Sequence, residues 1–263
     1  MSDKATKGSS MKNVTALERG LEILHLLNLL GPSHVRELHK SSGLPKPTIV
    51  RMLATLNGAG YVTQSDDGCY RVTAKTLALS TGFDAADNLL TVAKPILAEF
   101  REEHAWPVDL AIFDRDAMVV IDTSKAPGTL SLNRGIGSRL PVMPTALGRA
   151  YLAFCPENTR RESIEILARS VDPNEALARD PAKRDAILEK AHRQGYATSD
   201  QEFQKSARVI SVPLFSGEKL VACVNMITVS AAMTLEQAEI SFVPLLKGLA
   251  KSITDKLTRE GAT

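Results

Sequence analysis

Apolar positions along this chain recur at two periods, and each change of period marks a new element. Leu17, Leu21, Leu24 and Leu27 repeat at helical spacing. Thr15 with Glu18 three residues on reads as a capping box and Gly31-Pro32 as a stop, so the pattern predicts a helix over residues 15–30. Val35 with Leu38, then Ile49, Leu53 and Leu56, mark two short helices joined at Ser42-Gly43-Leu44. Pro45 suits the first turn of the second, where a missing N–H costs nothing, and Pro47 lies in the same turn. The period then falls to two. Residues 61–63 and 69–73 read as strands around a tight turn at Asp66-Asp67-Gly68.

Leu77, Leu79 and Phe83 predict a connecting helix, and Leu89, Val92, Ile96 and Phe100 an amphipathic one over residues 88–104. Strands follow at 108–113 and 118–122, around a turn at 114–116. Helices are expected at 145–154, 157–169 and 180–194, the last with Pro181 in its first turn and Gly195 at its end. Two more strands, 209–215 and 219–229, meet at Ser216-Gly217 before a closing helix over 234–258. Strands grouped in antiparallel pairs, with helices before, between and after them, imply an α+β domain: one antiparallel sheet flanked by helices.

Charge changes this picture more than composition does. At 263 residues, 44% hydrophobic and 24% charged, the chain has an ordinary globular composition and length for two cores. Its net charge is only +2, but residues 1–75 carry +4 and the remainder −2. A basic N-terminal third ahead of a slightly acidic body suits a DNA-binding module joined to something else. Cys69, Cys155 and Cys223 are odd in number, far apart and without a CxxC, which predicts neither a disulfide framework nor a metal site and fits a cytoplasmic setting. No apolar run approaches the roughly 18 residues of a membrane span, so no membrane partner is expected. Residues 1–12, rich in Ser, Lys and Thr, are expected to be a disordered tail.

The two helices of residues 33–58 carry the sharpest chemistry. The second exposes Lys46, Thr48, Val50 and Arg51 and no acid. A short helix, a glycine-bearing turn and a second helix with a basic face make a helix-turn-helix, whose second helix enters the major groove. Lys46 and Arg51 are expected to meet phosphate or guanine, and Thr48 a phosphate or a thymine methyl. The hairpin behind them is a wing. Arg71 is placed to reach a phosphate, while Asp66-Asp67 argues against its tip entering a groove. In the second domain, Asn225 is the only polar residue on a face otherwise made of Val221, Cys223, Ile227 and Val229. A lone amide among apolar neighbours needs a hydrogen-bond partner, supplied by a ligand or by an internal network. A carboxylate would sit well on the N–H groups at the start of the helix near Thr145, with Arg134 and Arg139 as cationic alternatives. A rival reading, a small-molecule hydrolase using Cys155, Cys223 or Ser211, needs a base within hydrogen-bond reach. Neither His104 nor His192 sits in a motif that provides one, so no catalytic residue and no cofactor is expected.

The arrangement resembles the IclR family of bacterial transcription regulators over nearly the whole chain. Leu17-Glu-Arg-Gly-Leu-Glu-Ile-Leu24, Ser42-Gly43-Leu44-Pro45, Thr48-Ile-Val-Arg51-Met-Leu53 and Gly60-Tyr61-Val62 carry the match in the first domain. Gly137-Ser-Arg-Leu140-Pro141, Thr145-Ala-Leu-Gly148-Arg-Ala-Tyr-Leu152-Ala and Gly195-Tyr196 carry it in the second. Trp106-Pro107, residues 116–120 and residues 152–157 look more narrowly like the branch that controls phenylpropionate and hydroxyphenylpropionate catabolism.

The resemblance implies a mostly α, winged helix-turn-helix domain over residues 13–74, a linker helix used in dimerisation over 75–87, and a GAF-like α+β effector domain over 88–263. It implies as partners a double-stranded, pseudo-palindromic DNA operator, a small organic acid and a homodimer or dimer of dimers, with RNA polymerase a further candidate. Pocket positions carried over from the family fall at Leu132, Leu140, Ala146 and Leu147, and across from them at Ser199 or Asp200, Val209, Asn225 and Ile227. Where members that bind small polar acids have a cysteine and small hydroxyl residues, this chain has Val209, Asn225 and Ile227. That exchange favours an aromatic or larger aliphatic acid; a small aliphatic acid is the alternative.

Overall fold

A computed structural model describes residues 13–79, 87–104, 106–124 and 135–260. The chain divides into two compact units, residues 1–84 and 85–263. The first unit comprises α1 (Thr15–Leu30), α2 (Val35–Ser42), α3 (Lys46–Gly58) and an antiparallel hairpin of β1 (Val62–Gln64) and β2 (Tyr70–Val72). Its core gathers Ile23, Leu24 and Leu27 from α1, Leu38 from α2, Ile49 and Leu53 from α3, and Val62 from β1. Each such side chain contributes about 1.5–3 kcal/mol through removal from water.

Gly43 ends α2 at φ 68°, a left-handed turn that lets α3 fold back across the first two helices. Pro45 sits at the N-cap of α3 rather than inside its first turn, and Pro47 occupies that turn. The hairpin is tied to the start of α2 by a bridge in which Ser33 and Tyr70 exchange both backbone bonds, at 2.9 Å each.

One expectation for this unit fails. Thr15 is not the cap of α1: Val14 is, without a side-chain bond, and Glu18 accepts from Asn13 Nδ2 at 2.7 Å instead. Leu17 and Leu21 remain 61% and 56% exposed, because the burial of α1 lies towards its C-terminal half, at Ile23, Leu24 and Leu27. The linker helix also departs from expectation. Its described part, Ala74–Leu79, is a 3-10 helix, and residues 80–86 lie outside the described residues.

In the second unit six antiparallel strands run in the order β5-β4-β3-β8-β7-β6. These are β3 (Val108–Asp114), β4 (Ala117–Thr123), β5 (Arg139–Leu140), β6 (Ala197–Asp200), β7 (Ala207–Ser216) and β8 (Lys219–Val229). β8 lies inside the sheet between β3 and β7, which explains why its sequence is apolar on both faces. One face packs on α4 (Asp87–His104) and α8 (Leu235–Glu260), through Leu89, Val92, Leu97, Phe242, Leu246 and Ile253 against Leu110, Ile210, Val212, Val224 and Met226. The other face carries α5 (Ala146–Phe154) and α7 (Pro181–Gln194), with Leu147, Ala150 and Ala191 against Ala111, Met118, Val120 and Cys223. The helix α6 (Glu157–Ala168) and a 3-10 helix, Pro173–Arg179, pack Leu167 and Ala178 against Val142, Met143 and Leu152.

α5 is seated closely. A Cβ at Gly148 would overlap the carbonyl oxygen of Val142 and lie 2.5 Å from its Cα, so only glycine permits this approach. Buried Glu175 fixes the same loop, accepting from the N–H groups of Val142 at 2.6 Å and Met143 at 3.1 Å. The start of α5 is thereby held against the sheet.

Candidate functional site

On α3 the buried stripe of Ile49 and Leu53 leaves Lys46, Val50 and Arg51 exposed, with Thr48 half-buried at the margin. The helix has no acidic residue, and neither Lys46 nor Arg51 makes an ion pair among the described residues. Pro47 and Ala54 share the exposed face and were not singled out as contacts from sequence. Arg71 stands opposite Thr63, on the hairpin face away from the buried Val62. At the tip, the Asp67 carboxylate accepts from Ser65 Oγ at 2.6 Å and Cys69 N at 3.1 Å, bonds that hold its pKa below the ordinary value, so the tip keeps its negative charge. Lys75 is spent internally, its Nζ on the Ala59 carbonyl at 2.8 Å and 4.8 Å from the Tyr61 ring centre.

In the second unit, Ala146, Leu147, Ser199, Val209 and Asn225 line one small cavity of about 10 Å³. Thr145, Phe203, Gln204 and Ala207 complete it. Of the alternatives Ser199 and Asp200, only Ser199 faces the cavity. Its hydroxyl donates to Pro144 O at 2.6 Å, whereas Asp200 pairs with Arg208 Nε at 2.8 Å. Leu140 and Ile227 do not line the space. Leu140 is a core residue of β5 opposite Met118, and Ile227 packs with Ala146, Ala207 and Val209. Arg139 is taken up by Asp114 and Asp116, each at 2.6 Å, and so is not the cation for this cavity. Leu132 and Arg134 lie outside the described residues.

Asn225 is 0% exposed, and its two amide ends differ. Oδ1 accepts from the backbone N–H of Asp109 at 2.9 Å, which orients the side chain; Nδ2 has no partner. A buried donor without an acceptor costs about 1–3 kcal/mol. A second set of donors stands at the start of α5. Thr145 Oγ1 caps Gly148 N at 3.2 Å, and helix geometry leaves the N–H groups of Ala146 and Leu147 without intrahelical acceptors. Together they line a small cavity of mixed polar and apolar walls that offers hydrogen-bond donors and no cationic side chain.

The residues weighed for nucleophilic chemistry are placed otherwise. Burial pushes the Cys155 and Cys223 thiols up, and the Tyr151 phenol between them up to about 12. Ser211, fully buried, donates to Val224 O at 3.1 Å. His192 bonds Ala153 O at 2.9 Å, and His104 lies against Phe100. Among the described residues no group of three His, Cys, Asp or Glu is arranged to hold a metal ion, and no helix is long and apolar enough to cross a membrane.

Comparison with known proteins bears on both domains. Residues 16–66 match the IclR helix-turn-helix domain, and residues 85–255 match the C-terminal domain of bacterial IclR transcriptional regulators. The Pca regulon regulatory protein of Pseudomonas putida is 26% identical over 253 residues, covering 93% of this chain and 84% of that protein. The crystal structure of an IclR family regulator from Brucella abortus is 28% identical, covers 96% of each chain and superposes with a TM-score of 0.61. An IclR homologue from Microbacterium hydrocarbonoxydans, solved with 4-hydroxybenzoate, shares the fold at 21% identity and a TM-score of 0.68, covering 92% of this chain and 98% of its own. These matches establish the family and leave the narrower branch open. With a winged helix-turn-helix ahead of an α+β domain, and family matches spanning both, the chain belongs to the IclR family of transcriptional regulators.

Proposed function

We propose that this regulator senses a small aromatic carboxylate in the cavity beneath Asn225 and answers through α3 on a catabolic operator. The observation that carries the effector reading is the unpartnered Asn225 Nδ2, fully buried in the wall of a cavity whose other lining mixes Ala146, Leu147, Phe203, Ala207 and Val209 with Thr145, Ser199 and Gln204. A carboxylate on the N–H groups of α5 would gain from the positive end of that helix, and the apolar walls formed by Val209, Ala207 and Phe203 suit a ring. The 4-hydroxybenzoate with which the Microbacterium protein is complexed supports an aromatic ligand. Lys46, Thr48, Val50 and Arg51, with Arg71 on the wing, are the proposed DNA contacts, in a homodimer or dimer of dimers on a pseudo-palindromic site.

The test is a thermal-shift titration with benzoate, 4-hydroxybenzoate, phenylpropionate and pyruvate, repeated on Asn225→Leu. A ligand at about 100 times its Kd stabilises the folded state by about 2.7 kcal/mol, which is readily resolved. Aromatic acids should raise the melting temperature of the native chain and lose most of that shift in the variant. A shift with pyruvate alone would replace the aromatic reading with a small aliphatic one, and a shift unchanged by Asn225→Leu would move the site elsewhere.

A further inference from the structure

At about 10 Å³, room for little more than one water, the cavity is far smaller than an ordinary ligand site, so an effector needs a moving wall. Three walls belong to packed elements: α5, the β6–β7 pair and β8. The fourth is residues 201–206, an irregular segment between β6 and β7 that sets Phe203 and Gln204 against the cavity. It leaves β6 at Gln201, whose φ of 59° is left-handed for a residue bearing a side chain. It returns through Gln201 N to Ala207 O at 3.0 Å and Ala207 N to Gln204 O at 3.1 Å. Between those ends Ser206 O accepts from Ser230 N at 2.8 Å, Phe203 packs beside Leu147 and Ala150, and one side chain from α5 reaches Glu202. Arg149 is 4% exposed, and its guanidinium donates to Met143 O at 2.8 Å, to Thr198 O at 2.9 Å and to both carboxylate oxygens of Glu202, one of them at 2.6 Å.

The division of those bonds matters. The two carbonyl contacts seat Arg149 whether or not Glu202 is present, and the contact to Glu202 alone reaches the segment. Glu202 is 44% exposed, so on opening its charge passes to water, while the buried Arg149 guanidinium loses its counter-ion and keeps only the Met143 and Thr198 carbonyls, a cost that favours the closed pair. A paired guanidinium and carboxylate form a strong directional bond while closed, and this one can open at its solvent end.

We propose that Arg149 and Glu202 form a latch that holds residues 201–206 over the cavity, so that access to Asn225 is set by how often this ion pair opens. The proposal rests on the cavity being the effector site, and it assigns these two residues a positioning role.

A reporter thiol tests the latch without any effector. Val209→Cys places a thiol on the cavity wall, and its alkylation by iodoacetamide is followed by peptide mass spectrometry in the full-length protein, with and without Glu202→Gln. Loss of the charged pair should speed labelling at position 209 by about tenfold, as expected for a shifted local opening equilibrium. Cys223, 0% exposed beneath the same helix, should label no faster. Raising NaCl from about 0.1 M to about 1 M should accelerate labelling when Glu202 is present and leave the Glu202→Gln rate unchanged, because only the former has an exposed charge to screen. Equal rates with and without Glu202, a parallel rise at Cys223, or the same salt response in both backgrounds would overturn the latch. Since no effector enters these measurements, failure of aromatic acids to bind leaves their outcome intact, and the two ideas fail separately.

Discussion

Glu175 sits where the loop before α5 needs acceptors, and its environment pulls in two directions. Burial pushes its pKa up, and the N–H groups of Val142 and Met143 oppose that rise without cancelling it. A carboxyl whose folded-state pKa lies above its ordinary value of 4.5 contributes stability that is fully present below that value and is lost as pH rises through the raised one. The melting-temperature gap between the native chain and Glu175→Ala should therefore be widest near about pH 4.5 and narrow towards about pH 8. A gap that widens with pH would reverse the assigned cause. Asp200 shows the limit of reading such residues from sequence. It neighbours Ser199 in β6, and alternation along the strand turns one side chain to the cavity and the other to Arg208, but the sequence does not say which.

At the scale of elements, α3 carries a prediction that separates contact types. Arg51→Ala should weaken operator binding by about 1–3 kcal/mol in a gel-shift titration without lowering the melting temperature. Lys46→Ala should weaken specific and random duplex alike and flatten the log–log salt slope by about 0.9. An unchanged slope would remove Lys46 from the phosphate contacts. The helix-turn-helix was legible because its signals are local: the period of Ile49 and Leu53, the glycine at the turn, and the absence of acids on one face. α1 was legible as a helix but not in its burial. Periodicity shows which face is apolar and not how far along it the partners reach, and Leu17 and Leu21 share the spacing of Leu24 and Leu27 without sharing their burial. Short elements were missed for a related reason. β6, Ala-Thr-Ser-Asp, has little strand character of its own and is fixed by pairing with β7, while β5 is two residues long. Phe203 and Gln204 were not found because they belong to a segment with no period; of the positions carried over from the family, Leu140 on β5 and Ile227 on β8 do not line the cavity and Leu132 lies outside the described residues.

Over the whole molecule, two units with separate buried clusters predict two steps in thermal unfolding. Calorimetry should resolve them, with operator DNA raising one and an aromatic acid raising the other. A single transition that both ligands shift together would show that the units melt as one. The close seating of Gly148 on Val142 gives this regulator a second kind of weak point. Gly148→Ala would push the wall-forming start of α5 off its seat, at a cost of about 1–3 kcal/mol from overpacking. A genetic selection for strains whose operon no longer responds to its inducer should then recover alleles at Gly148 alongside those at Asn225. Such alleles would keep every ligand-facing side chain intact and fail to sense all the same, since the chamber's shape depends on a carbon atom that is not there.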